Sequence, residues 1–154
     1  MDSGRITLPD PAAYMSLYTE EVSDSLLESL DEFFFPSYFQ EKIEKKYELR
    51  VFYLEGEFYS MAIFSQNDSQ TKVDFRKYNK VKPNRNVPFK LPLTIESKLQ
   101  NLLEHYRLNT ASLDIVVDKC GRYVFLEINP VGQFGMVSVP CNYYLEKKIA
   151  ETLA

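Results

Sequence analysis

Tryptophan is absent from the 154 residues, histidine occurs once, cysteine twice and glycine five times. Each scarcity removes a class of chemistry. A lone His105 cannot assemble a histidine metal centre, and on a helix away from the apolar stripe it reads as a surface residue. Cys120 and Cys141 form no CxxC or zinc spacing, and neither has a base beside it in sequence, so covalent thiol catalysis has no support. Two unpaired-looking cysteines suit a reducing compartment. The glycines (Gly4, Gly56, Gly121, Gly132 and Gly135) are scattered in turns. No P-loop, dinucleotide-binding or kinase fingerprint is present. No apolar run is long enough to cross a bilayer, and no charged stretch followed by an apolar one opens the chain. Membrane spanning and secretion are therefore disfavoured, and a cytoplasmic location is expected. The net charge of −4 gives no basic field for nucleic acid.

What the chain has is aromatic bulk. Apolar residues make up 45% of it, with eleven Tyr and eleven Phe. That supports one aromatic-rich core in a single domain, with some Tyr hydroxyls reaching polar partners or a cleft. Residues 1–18 resist assignment and read as a poorly defined N-terminal remnant, leaving 19–154 as the domain. The pattern suggests a helix over 20–30, capped by Ser23, with Leu26, Leu27 and Leu30 on one face. Residues 38–43 read as a short strand. Residues 47–54 and 57–65 read as a hairpin about Glu55-Gly56. Residues 66–92 read as one long polar loop, a length that is usually functional or mobile. A helix over 95–107, capped by Thr94, buries Ile95, Leu99, Leu102, Leu103 and Tyr106. A second hairpin follows, then a loop over 131–140. Asn142 then caps a last helix with Leu145, Ile149 and Leu153 inward. The expected class is α+β, a largely antiparallel sheet with helices packed on one face.

The second hairpin, residues 113–130, carries the clearest chemistry. Glu127 and Asn129 share a strand face, because side chains alternate. A two-residue loop at Cys120-Gly121 pairs Lys119 with Arg122 and sets Asp114 opposite Glu127, with β-carbons about 5 Å apart. A three-residue loop with Gly121 as a bulge would shift the pairing by one and turn Asp114 away. In the first register two carboxylates and an amide oxygen converge, a donor set for a hard cation such as Mg²⁺. Single acidic residues on strands are usually just solvated. Here they lie among Leu113, Ile115, Phe125 and Ile128; charges so flanked face a cleft, a partner charge or a metal, and the metal is favoured. Glu48 and Arg50 share another strand face, and Asp74-Phe75-Arg76 sits in the polar loop beside Lys72 and Lys77. Each could hold an anion or sugar hydroxyls, yet each alone reads better as a solvated charge pair.

Taken in order, Gln40-Glu41-Lys42-Ile43, Glu48-x-Arg50, Asp74-Phe75-Arg76, Asp114 and Glu127-Ile128-Asn129-Pro130 resemble the C-terminal half of ATP-grasp ligases. The likeness is nearest to the maturases of graspetides, the microviridin-type and grasp-with-spasm peptide ligases. Phe34-Phe35-Pro36-Ser37-x-Phe39-Gln40-Glu41, Met61-Ala62-Ile63-Phe64-Ser65-Gln66, Thr71-Lys72-Val73-Asp74-Phe75-Arg76 and Asn129-Pro130-Val131-Gly132-Gln133-Phe134-Gly135 carry it.

The resemblance implies roles. Gln40, Glu41, Lys42 and Ile43 would form the hinge whose backbone holds adenine, and Glu48 would take the ribose hydroxyls. Arg50 and Arg76 would neutralise the transferring phosphoryl group. Asp114, Glu127 and Asn129 would bind Mg²⁺ on the ATP phosphates. The reaction implied is activation of a precursor-peptide Asp or Glu as an acyl phosphate, closed by a hydroxyl or amine into an ester or amide ring. Such ligases are normally longer, with an N-terminal domain and a phosphate-covering lobe that this sequence does not display. The chain is thus expected to be a C-terminal part, inactive alone. Its partners would be precursor peptide and either a complementing N-terminal half or further copies of itself. The alternatives are a non-catalytic peptide-binding module and an ATP-grasp ligase for another carboxylate.

Overall fold

The computed structural model describes residues 5–7, 14–16, 18–33 and 36–154, with side chains from residue 18 onward. The proline-rich break at 8–11 and the Phe34-Phe35 pair lie outside the described residues. Strand β1 (Arg5–Thr7) pairs antiparallel with β2 (Tyr14–Ser16). Helix α1 (Asp24–Ser29) starts where expected, with Ser23 Oγ accepting from the Leu26 N–H. It buries no side chain, and Leu26, Leu27 and Leu30 stay exposed.

Glu55 and Gly56 both sit at positive φ (45° and 94°), the conformation that twisted two-residue hairpin turns require. They join β3 (Lys45–Leu54) to β4 (Glu57–Phe64). Three more strands complete an antiparallel sheet: β5 (Arg85–Phe89), β6 (Thr110–Asp118) and β7 (Tyr123–Asn129), in the order β5-β4-β3-β6-β7. The longest strands, β3 and β6, lie inside the sheet, flanked by β4 and β7.

Alternation sorts the side chains into two layers. Leu49, Val51, Tyr53, Ala62, Leu113, Ile115 and Val117 face helix α2 (Leu93–His105) and pack with its Leu99 and Leu103. On the other face Phe52, Met61 and Ile63 pack with Val137 and Cys141 of α3 (Gly135–Cys141) and Leu145 of α4 (Leu145–Leu153). The α+β class and antiparallel sheet are as expected, but the helices do not share one face: α2 packs on one and α3 and α4 on the other. The part of the second face that α3 and α4 leave uncovered is where Glu48, Arg50, Asp114, Glu127 and Asn129 lie.

Several elements depart from the sequence reading. Residues 38–43, expected as a short strand, form no strand, and Tyr38 and Phe39 are exposed. Residues 66–92 are not all loop. Strand β5 pairs with β4, and its Pro88 is tolerated because β5 is an edge. Thr94 does not cap α2, which begins after Pro92, whose carbonyl accepts from Ile95 and Glu96. Tyr106 lies beyond the helix end and is exposed. Residues 135–140, expected as loop, belong to α3. Asn142 closes that helix in the left-handed conformation (φ 54°) instead of capping α4, and Leu153 faces solvent.

The hairpin β6–β7 resolves its register in an unexpected way. Its loop has three residues, Lys119 to Gly121. The Asp118 N–H donates to the Arg122 carbonyl, and Gly121 sits at φ 84°. Asp118 Oδ1 holds the turn by accepting from the N–H groups of Cys120 and Arg122. Val117 thus opposes Tyr123 and Ile115 opposes Phe125, the shifted pairing. A second slip follows, because Leu126 is an extra residue. Beyond it Asp114 opposes Glu127 and Ser112 opposes Asn129.

Candidate functional site

Three strands supply the site. Arg50 opposes Met61 on one side and Asp114 on the other, and Asp114 opposes Glu127, so three charged residues follow one another across β3, β6 and β7. Arg50 Nη1 lies 2.9 Å from Asp114 Oδ1, and its guanidinium stacks 5.1 Å above the ring centre of Phe75. Arg50 Nε is buried without a hydrogen-bond partner among the described residues. A buried donor left open in this way suits an anionic guest.

Burial pushes the Asp114 carboxyl up to about 7, against the pull of Arg50. The charge of Glu127 and a hydrogen bond with it add to the rise, and Glu48 adds further. Two carboxylates facing each other disfavour double ionisation, and a cation between them reverses that. The donor set therefore fits Mg²⁺: Asp114 and Glu127, with Asn129 on the same face. Asn129 Oδ1 accepts from the Val131 N–H, which fixes the amide and leaves its second lone pair free for a metal. Among the described residues no three His, Cys, Asp or Glu side chains cluster as a complete metal cage, and Mg²⁺ usually needs none, because it keeps water and binds substrate phosphates.

The other expected residues lie on β3, in the loop after β4 and in the segment ahead of β3. Glu48 is mostly buried and accepts from Lys45 Nζ (2.6 Å) and Ser65 Oγ (2.7 Å). Arg76 is held by Asp74 through Nε (2.9 and 3.1 Å) and Nη2 (2.6 Å), and the Glu127 charge also acts on it. Burial would raise the Asp74 carboxyl, but Arg76 and the N–H groups of Thr19 and Arg76 outweigh it and hold it below its ordinary value. Gln40, Glu41 and Lys42 are exposed and Ile43 half-buried, a few residues ahead of β3. Their backbone makes no hydrogen bond to a described residue, while the Lys42 side chain pairs with Glu21 and Glu44.

Lys45, Ser65 and Phe75 were not singled out from sequence as site residues in their own right. Lys45 reaches the site face only through a bulge at Lys46, which leaves no mark in residue type. Phe75 had a signal: an aromatic between Asp74 and Arg76 in an otherwise polar loop.

No protein-family model matches the sequence, and no curated protein matches it. Among solved structures, an ATP-grasp ligase from Chryseobacterium gregarium, RiPP-associated and complexed with ADP and a leader and core peptide, is 31% identical at a TM-score of 0.73. The match covers 84% of this chain and 39% of that one. The macrocyclase MdnC of Microcystis aeruginosa MRC, bound with precursor peptide MdnA, is 34% identical over 91% of this chain and 42% of that chain, at a TM-score of 0.72. The ATP-grasp ligase PsnB, complexed with minimal precursor, Mg and ADP, shares the fold at 16% identity and a TM-score of 0.57, over 90% of this chain and 41% of that one. This chain spans about two-fifths of the length of the structures it matches. By fold and by sequence, this chain is similar to the RiPP-associated ATP-grasp ligases over part of their length.

Proposed function

We propose that this chain is the ATP- and Mg²⁺-holding C-terminal part of a ligase that activates Asp or Glu side chains of a precursor peptide for macrocyclisation. The observation that carries this reading is the row Arg50, Asp114, Glu127 across three strands, with Glu48 and Asn129 on the same face. The backbone of 40–43, which makes no hydrogen bond to a described residue, would offer its donors and acceptors to a purine edge. Glu48 would hold the ribose, its carboxylate already oriented by Lys45 and Ser65. Arg50 and Arg76 would take the phosphoryl oxygens, Arg50 through its open Nε. Asp114, Glu127 and Asn129 would hold Mg²⁺, which neutralises charge on the nucleotide phosphates. The protein contributes placement and charge compensation, as phosphoryl transfer requires. The acyl phosphate forms on the peptide carboxyl, and a peptide hydroxyl or amine displaces phosphate to close the ring. We place the chain in the cytoplasm, where ATP is available and its two free cysteines stay reduced. No helix among the described residues is long and apolar enough to cross a membrane.

The test is mass spectrometry of a precursor peptide incubated with ATP, Mg²⁺ and the chain, alone and with a complementing N-terminal half. One water should be lost per ring, only with both parts present. Consumption of ATP without peptide modification would point to another carboxylate substrate. A second reading, a peptide- or partner-binding module without catalysis, is favoured by α1, none of whose side chains is buried. Tight Mg·ADP binding in a titration counts against it.

A further inference from the structure

In the reading above Lys45 enters only beside Ser65 at Glu48, yet it is among the most constrained cations of the described residues. Its side chain is only 12% exposed. It pairs across the sheet with Asp118 while Tyr47 pairs with Val117, so Lys46 is an extra residue and Lys45 is switched onto the face of Glu48 and Arg50. From there its ammonium donates to two groups. One is Glu48 Oε1 at 2.6 Å. The other is the backbone carbonyl of Val73 at 2.9 Å, next to Asp74-Phe75-Arg76. Ser65, at the root of the same loop, donates to the same Glu48 oxygen.

We propose that Lys45 is a positioning residue that aims the Glu48 carboxylate and straps the loop carrying Arg76 onto the sheet. The residues assigned to the ribose and to the phosphoryl group are then held by one ammonium. The aiming role rests on the nucleotide reading; the strap rests on the Val73 contact alone.

Lys45→Met, Lys45→Arg and, as control, Lys46→Met at the exposed neighbour separate the two. In the ligand-free protein, hydrogen exchange reads the amides of Arg76 and Lys77, which donate to Asp74 Oδ1 and the Asp74 carbonyl. Lys45→Met should speed both by about tenfold or more relative to central-strand amides, the cost of losing a hydrogen bond to a charged group. Lys45→Arg should restore most of the protection, and Lys46→Met should change nothing. Unchanged exchange in Lys45→Met, or a rise shared equally with the central strands or with Lys46→Met, overturns the strap. Calorimetric titration with ADP and 2′,3′-dideoxy-ADP reads the aiming role. Lys45→Met should shrink the wild-type preference for ADP, and a preference kept in full overturns that role. A wild type that does not distinguish the two nucleotides refutes the Glu48 assignment itself, and the exchange result then decides the strap independently.

Discussion

Arg50 compensates Asp114 with charge and Phe75 with a cation over its ring. Replacing it by Met leaves a largely buried carboxyl beside Glu127 without its counter-charge. The expected cost is about 1–3 kcal/mol, read as a lower urea midpoint at an unchanged slope. Asp114→Asn removes one of the facing carboxylates while keeping its shape. It should weaken Mg²⁺-dependent ADP binding about tenfold or more, with little change in Mg²⁺-free binding, both measured by titration. Asp74 sets an acid limit on the fold. Its carboxyl is held below the ordinary 3.8, so the unfolded chain takes up its proton first as pH falls. The stability that Asp74 contributes is therefore complete above 3.8 and is lost as pH drops through its lower folded-state value. Urea midpoints across the acid range should show that slope in the wild type and a flatter one in Asp74→Asn.

At the scale of elements, the turn after β7 is fixed by how closely two backbones approach. A β-carbon on Gly132 would lie 2.2 Å from Ser112 Cβ and 3.0 Å from the Ser112 amide nitrogen. Gly132→Ala should cost about 1–3 kcal/mol by overpacking, and Ser112→Gly in the same chain should recover part of it, both seen in thermal melts. Periodicity made the strong elements legible: β3, β4, β6, β7, α2 and the Ser23 cap all follow from residue type and spacing. The Glu55-Gly56 turn was legible as well, because few residues accept positive φ. Strand β5 was hidden by Pro88 and by its polar surroundings, since an edge strand needs only one apolar neighbour. Helix α3 was hidden by Gly135 and Pro140. For the candidate site, the pairing of Asp114 with Glu127 was anticipated, but the reason differs. The two-residue loop assumed for it is a three-residue one, and the extra Leu126 restores the pairing.

For the whole molecule, the described residues 18–33 are all exposed, and the apolar members Leu27, Phe33, Tyr38 and Phe39 lie on the same stretch or just beyond it. So much uncovered apolar surface in one segment favours association. Sedimentation should show mass rising with concentration, and Leu27→Glu with Phe33→Ser should suppress it without moving the melting temperature. If the double variant associates as the wild type does, the contact lies elsewhere.

The two bulges have a consequence for how such a chain can change length. Each is a slip of one in a two-valued code, inward or outward. The slip at Lys46 brings Lys45 into step with Glu48 and Arg50. The slip at Leu126 puts Glu127 and Asn129 into step with Asp114, although Tyr123 and Phe125, also odd-numbered on the same strand, pair with residues of the opposite layer. The site is thus written in phase, and phase is conserved only by even changes. A homologue that shortens the 119–121 turn by one residue should also lack the extra residue at 126, so that gain and loss occur in matched pairs while the three oxygen donors keep the same parity.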